Sequence, residues 1–255
     1  MSMKISIVTI SYNQAPYLKA CIDSILTQTD CDVEYIVVDP GSTDGSRDLI
    51  ESYGGKIIKV FGADKGPADG LNKGFERATG DIYGFINSDD YLLPGSLKIV
   101  ANFFTQHSSN IFMTGRGFKE DGFGNRILVR PSVLNFDTML HRAAIIFQQS
   151  TFFPATMFHQ ANGFNVDNNS CWDYELFMTF LNNKAQHFVL DQELAVFRLY
   201  ADSISGSGRL EARCFEELDK LFIRHLGRRR AWRDILFTHY LRLKREFFRR
   251  MLNGR

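Results

Sequence analysis

Two kinds of apolar pattern alternate through the first hundred residues. Lys4 to Ile10 and Val33 to Val38 are short β-branched runs, whereas Tyr17 to Thr27 and Ser46 to Tyr53 repeat their apolar positions at helical spacing. The alternation continues with a strand from Lys56 to Phe61, a helix from Pro67 to Ala78, a strand from Ile82 to Ile86 and a helix from Pro94 to His107. Both of these later helices open at a proline, whose fixed φ suits a first turn. Strands alternating with helices predict a parallel sheet covered by helices on both faces. In such sheets ligands sit beyond the carboxyl ends of the strands, so the polar residues that follow each strand share one address.

Thr9, Ser11, Tyr12 and Asn13 follow the first predicted strand, Asp39 to Ser42 the second, Asp64 to Gly66 the third, and Asn87, Ser88, Asp89 and Asp90 the fourth. Four strand ends are thereby expected to meet at one crevice. The Asp39 carboxylate can accept hydrogen bonds from a ribose or base, and Asp89 suits a hard divalent cation that keeps water and phosphate as its other ligands. Asp44 and Gly45 are read as turn formers only. A second acidic segment, Trp172 to Leu176, lies far along the chain, and a carboxylate there can act as a base.

Composition narrows the class. With 255 residues, 44% of them hydrophobic and 23% charged, the chain can bury a core as one domain with a small appendage. No run approaches the roughly 18 apolar residues of a membrane span, and the start MSMKISIVTISYN lacks the order of a signal peptide, so a cytoplasmic location is expected. Cys21, Cys31, Cys171 and Cys214 have no CxxC spacing and read as free thiols, and the six histidines show no metal-ligand spacing.

The net charge of +1 conceals an asymmetry. From Lys220 to Arg255 there are twelve Lys or Arg against Asp234 and Glu246, while the preceding residues carry 18 basic and 27 acidic side chains. Within this tail Trp232, Ile235, Leu236, Tyr240, Leu243, Phe247 and Met251 recur at helical spacing, which predicts a basic amphipathic helix. Two readings stay open: a helix packed on the body with its basic face in solvent, or an interfacial helix resting on anionic lipid.

The ordered motifs IVTISYN, VVDPGSTDGS, DKGPADGLNKGFERATGD and FINSDDYLLPG, followed by QQSTF from Gln148, WDYEL from Trp172 and Phe197-Arg198, resemble the inverting family 2 glycosyltransferases over about residues 1–205. The resemblance implies an α/β GT-A fold, with a Rossmann-like, mostly parallel central sheet flanked by helices. Residues 1–95 would form a nucleotide-binding half and residues 96–205 an acceptor-binding half, with residues 206–255 as a C-terminal helical extension. It implies donor contacts from Thr9, Ser11, Tyr12, Asn13, Asp39, Lys65, Asp69, Asn72, Asn87 and Ser88. Asp89 matches the last carboxylate of the family's metal-binding DxD motif, with Mn2+ or Mg2+ as cofactor, and Asp173 matches the general base.

Gln148, Gln149, Trp172, Glu175 and Arg198 fall where the acceptor or sugar is expected. One of the two glutamines is read as functional, Trp172 as a stacking surface for a sugar ring, and Glu175 as facing the helix to orient the base or acceptor. Arg198 is open between diphosphate and a buried carboxylate. The chain also departs from the pattern. Asn87 replaces the first aspartate of DxD, Pro40 stands where a second aspartate often follows Asp39, and Tyr200 occupies a place where related sequences often carry histidine.

The implied partners are a nucleotide-sugar donor, a UDP-sugar first, and a glycan acceptor, polyprenyl-linked in cell-surface polysaccharide or O-antigen assembly. An anionic membrane surface would be met through residues 220–255, placing the protein peripherally on the inner face of the cell membrane. Neither GxxxxGK[ST] nor GxGxxG occurs, which removes kinase and dehydrogenase readings. Charge confined to the tail removes nucleic acid as a partner, and the lack of a QxxRW signature disfavours a processive synthase. A nucleotidyltransferase or other nucleotide-sugar enzyme, and a noncatalytic nucleotide-sugar-binding module, remain as alternatives.

Overall fold

A computed structural model describes residues 3–107, 110–201 and 203–253. The β-branched runs become β1 (Lys4–Ile10), β2 (Asp32–Asp39), β3 (Ile58–Phe61) and β4 (Ile82–Asn87), paired in parallel in the order β3-β2-β1-β4. Between them lie α1 (Ala15–Leu26), α2 (Ser46–Ser52) and α3 (Pro67–Phe75). The register is what positions the site. Ile10 stands opposite Val38 of β2 and Asn87 of β4, and Asp39 opposite Phe61 of β3, so the four carboxyl ends finish level with one another.

Alternate side chains of each strand feed two apolar cores, as the two-residue period of a strand requires. Ile5, Ile7, Tyr35 and Val37 pack with Leu18, Ile22 and Ile25 of α1 and with Ile50 of α2. Val8, Ile36 and Val38 pack on the other face with Leu71 and Phe75 of α3. Gly74 is needed here, because a Cβ at that position would lie 2.4 Å from a Val8 methyl.

Beyond β4 the sheet departs from the expected parallel pattern. It continues through β5 (Tyr91–Leu92), β6 (Ile111–Asp121), β7 (Arg126–Val129), β8 (Thr151–Pro154) and β9 (Gln186–Leu199), in the full order β3-β2-β1-β4-β8-β6-β9-β5 with β7 on β6. β8 is antiparallel to both β4 and β6, whereas β9 runs parallel to β6. Local patterning does not reveal strand direction where the connections are long, so these pairings could be read only from the tertiary structure. Two boundaries also shift. A 3-10 turn at Gly54–Lys56 delays β3, and left-handed Gly95 (φ 78°) delays α4 (Ser96–Gln106).

α5 (Phe136–Leu140) and α6 (Ala155–Gln160) flank β8; of the acceptor-side expectations, Gln148 and Gln149 fall in a 3-10 turn before β8, Trp172 and Glu175 on α7 (Trp172–Asn182) and Arg198 on β9. After β9 come α8 (Ile204–Ser207), α9 (Glu211–Leu226) and α10 (Trp232–Asn253), so the tail is not one helix. Gly227, left-handed at φ 68°, ends α9. α9 is anchored to the body by buried Leu221 and Phe222, by an Arg224–Glu175 ion pair and by a Cys214–Cys171 thiol hydrogen bond at the start of α7. The four cysteines are free, as their spacing suggested.

One buried histidine couples this framework to pH. The backbone N–H of Leu134 donates to His187 Nδ1 at 2.9 Å, which leaves Nε2–H facing the Thr114 hydroxyl at 2.8 Å. Burial pushes His187 down to about 3. The unfolded chain therefore binds a proton near the ordinary 6.5 that the folded chain refuses, so this contribution is complete above that value and is lost progressively as pH falls towards 3. Unfolding free energy measured by denaturant titration should decline from pH 6.5 to 4.5, and His187→Gln should flatten that slope.

Candidate active site

The loops after β1 and β2 are stitched together before any ligand arrives. Asn13, left-handed at φ 53°, donates its backbone N–H to Ser42 Oγ at 2.9 Å and accepts from the Thr43 N–H at 2.9 Å through Oδ1. Ser46 Oγ accepts from the Gln14 N–H at 3.0 Å and Asp44 Oδ2 from the Ala15 N–H at 2.9 Å, so Asp44 satisfies the first turn of α1. Its sequence reading as a local turn former was too narrow.

Beside this loop pair, Asp39 is fully buried. Its Oδ1 accepts from the backbone N–H groups of Gly41 and Ser42, both at 2.8 Å, and from Arg47 at 3.2 Å. Its Oδ2 is buried and has no partner, as is the Ser11 hydroxyl. Buried polar atoms are seldom left unpaired without a reason, and both follow strands whose ends define the crevice. Tyr12 is exposed on its rim, while Thr9 lies beneath it, accepting from the Tyr35 hydroxyl at 3.0 Å.

The loop after β4 carries Asn87, buried Ser88, half-buried Asp89 and fully buried Asp90. Asp90 accepts from Gln149 Nε2 at 3.0 Å and from the backbone N–H of Arg198 at 2.9 Å. The Arg198 guanidinium donates to the Asp89 carbonyl at 3.1 Å, faces Glu120 at 3.6 Å and stacks over Tyr91. Arg198 thus braces the loop that carries Asp89 and Asp90. The Tyr200 hydroxyl lies 3.1 Å from Asp89 Oδ2 and 3.2 Å from Gln14 Oε1. Burial raises Asp89, and burial followed by the Asp89 charge pushes Asp90 well above the usual carboxylate range.

The third loop caps itself. Gly66 N–H donates to Asp64 at 3.0 Å and Lys65 N–H to Asp69 at 2.9 Å, with Asp69 paired to Lys73 and Lys65 itself exposed. Asn72 ties this loop to the segment before α7. Its amide donates to the Phe164 carbonyl and accepts from the Phe164 N–H, both at 2.9 Å, clamping the segment that leads to α7.

That segment brings the second acidic stretch to the same end of the sheet. Trp172 packs against Phe85 of β4 and Phe164 with ring centroids 5.5 and 5.1 Å apart, which makes it an anchor for the start of α7. Gln148 Nε2 donates to the Phe85 carbonyl at 2.8 Å. Asn169 sits beside Gly66, 3.8 Å from where a Cβ would project. Half-buried Asp173 occupies the first turn of α7, and burial raises its carboxyl. Glu175, expected to face the helix and orient the base or acceptor, accepts from Asn165 at 3.1 Å and Asn168 at 2.8 Å and pairs with Arg224. One turn of helix cannot point both carboxylates the same way.

The sequence gives Asp90 no role beyond its place at a strand end, and Gln14 and Glu120 none at all. Asp90 carried a signal, since a doubled aspartate after an apolar strand leaves one member to be buried. No local pattern marks Gln14 or Glu120, whose roles arise from segments distant in sequence.

Among the described residues no group of three His, Cys, Asp or Glu side chains gathers to hold a metal ion. The donor chemistry nevertheless fits a divalent cation bound through Asp89 together with phosphate and water oxygens, the usual mode for Mg2+. A positive charge there would also offset two adjacent carboxylates that burial makes reluctant to ionise.

This sheet and its level strand ends define the GT-A fold. The Staphylococcus aureus protein TarS, residues 1–349 in complex with UDP-GlcNAc, superposes with a TM-score of 0.72 at 19% identity over 94% of this chain and 70% of that one. The mannosyltransferase PcManGT from Pyrobaculum calidifontis, in complex with GDP-Man and Mn2+, gives 0.66 at 17% identity over the same shares. The chain belongs to glycosyl transferase family 2, whose model matches residues 6–172. An uncharacterized glycosyltransferase of Nostoc sp., alr2836, is 42% identical over 106 residues, covering 40% of this chain and 33% of the relative. The chain spans about a third of the length of the first curated relatives it matches.

Replacing Gln149 tests the carboxylate loop. Gln149→Leu removes one donor from buried Asp90 and should cost about 1–3 kcal/mol in denaturant unfolding, whereas Lys65→Leu on the exposed rim should change stability by less than about 0.5 kcal/mol.

Proposed function

We propose that the chain is an inverting glycosyltransferase that moves one sugar from a nucleoside diphosphate sugar to a hydroxyl of a glycan acceptor. The observation that supports this reading is the docking of α7 onto β4 through Trp172 and Phe85, which sets the first turn of α7, where Asp173 lies, against the strand followed by Asp89. The unpartnered Asp39 Oδ2 and Ser11 hydroxyl suit a nucleoside, and a uridine diphosphate sugar is the donor proposed. Thr9, Tyr12, Asn13, Lys65 and Asp69 shape or support its loops, with Asn87 and Ser88 beside the diphosphate. Neighbours of this fold hold UDP-GlcNAc or GDP-Man, which supports a nucleotide-sugar pocket without choosing between bases.

Asp89 would hold Mn2+ or Mg2+, which supplies Lewis-acid stabilisation of a diphosphate leaving group when bound. Asp173 takes the proton from the acceptor hydroxyl as that oxygen attacks the anomeric carbon, and a single displacement inverts the centre. A raised carboxyl makes Asp173 a stronger base. Gln148 and Gln149 set the floor of the site through Phe85 and Asp90, and Trp172 and Arg198 fix its walls. The halves 1–95 and 96–205 divide donor from acceptor contacts, and residues 206–255 serve a membrane-borne, polyprenyl-linked acceptor at the inner face of the cell membrane.

Asp173→Asn should lower the transfer rate by about 10² to 10⁴ while nucleotide-sugar affinity, measured by calorimetry, stays within about twofold. Full turnover by that variant would sink the assignment. Because Asp173 must be ionised, kcat/KM of the wild-type chain should fall with acidity through a limb lying above the usual aspartate range. Incubation with a panel of nucleotide sugars, with and without Mn2+ or Mg2+, separates the classes. Free nucleoside diphosphate marks glycosyl transfer, pyrophosphate marks nucleotidyl transfer, and binding without release marks a noncatalytic module.

A further inference from the structure

α10 is docked with its polar side inward. Thr238 is buried and donates to the His141 carbonyl at 2.9 Å, Arg242 donates to the Arg142 carbonyl at 3.0 Å, and Arg245 donates to the Ala143 carbonyl. Asp234 on the same side is buried and accepts from both terminal nitrogens of Arg228, at 2.6 and 2.8 Å. An amphipathic helix on a soluble body ordinarily buries its apolar stripe, and this one does the reverse. Trp232, Leu236, Tyr240 and Leu243 are 65%, 58%, 55% and 70% exposed. At about 100° per residue these four fall within one narrow stripe, opposite Asp234, Thr238 and Arg245.

Charge decides what covers the stripe. Arg233 and Lys244 lie along one edge and His239 and Glu246 along the other, with Arg242 engaged by the body, while the Asp234 carboxylate is turned to the body and neutralised. Two copies of the chain placed stripe to stripe would bring basic edges together, which self-association disfavours. An apolar stripe with cations along one edge and a Trp and a Tyr at its level has the chemistry of a helix lying in a bilayer interface. No described helix is long and apolar enough to cross a membrane.

We propose that α10 is the membrane-contacting surface of this protein, binding anionic phospholipid through its outward stripe while its polar side holds the catalytic body. The assignment deepens the reading of a bilayer-borne acceptor and rests on it for its purpose. Its test does not, because lipid binding requires neither donor nor acceptor.

Flotation of the full chain with vesicles of phosphatidylcholine, alone or mixed with phosphatidylglycerol, reads the surface directly. The wild-type chain should float with the mixed vesicles and stay behind with the neutral ones. Leu236→Glu with Leu243→Glu, and separately Arg233→Glu with Lys244→Glu, should each weaken that binding by at least about tenfold. Circular dichroism and nucleotide binding should be unchanged, since all four side chains point away from the body. Failure of the wild-type chain to float, binding unaffected by the leucine pair, or a dimer in solution that the leucine pair dissolves would overturn the proposal. A chain that floats as expected yet releases no nucleoside diphosphate from any donor leaves the surface standing and removes the transfer reading instead.

Discussion

Asp90 is fully buried, and its two oxygens accept from Gln149 and from the backbone of Arg198, partners 59 and 108 residues away in sequence. A carboxylate withdrawn from water must have its hydrogen bonds met by the protein, or the fold loses several kcal/mol. Meeting them joins the loop after β4, the turn before β8 and the end of β9. Once those three are tied, Arg198 reaches the Asp89 carbonyl and Tyr200 the Asp89 carboxylate. The half-buried acid of the site is thus aimed by the fully buried one.

The same economy appears across the crevice. Asn72 and Glu175, which look like ligand contacts in sequence, hold the segment between them, one by a double backbone clamp to Phe164 and the other by tying Asn165 and Asn168 to α9. Asp173 stays in the first turn of α7 because its neighbours on both sides are fixed. The division is between polar groups that support and those that remain available. Asp39 Oδ2 and the Ser11 hydroxyl, buried without partners, belong to the second kind.

α10 extends this logic to the outer surface. The carbonyls of Leu140 to Ala143, just beyond α5, accept from Arg230, Thr238, Arg242 and Arg245. A polar groove therefore selects the polar side of the helix and leaves the apolar side out. Of the two readings of the tail, the structure shows the packing on the body, and the exposed apolar stripe is the feature on which the proposed lipid contact rests.

Sequence by itself determined the four parallel strands, their intervening helices and the address of the candidate site, because apolar period and turn chemistry are local and the residues after each strand inherit the strand's end. Ordered motifs likewise identified the family from residues that lie close together in the chain. Only the tertiary structure decided that β8 runs antiparallel, that Asp90 rather than Asp89 is the buried acid, that Asn72 and Glu175 serve the framework, and which side of α10 faces outward. Each of those depends on a partner 49 to 108 residues distant. An amphipathic pattern fixes that a helix has two faces, but the surface it meets fixes which one is covered.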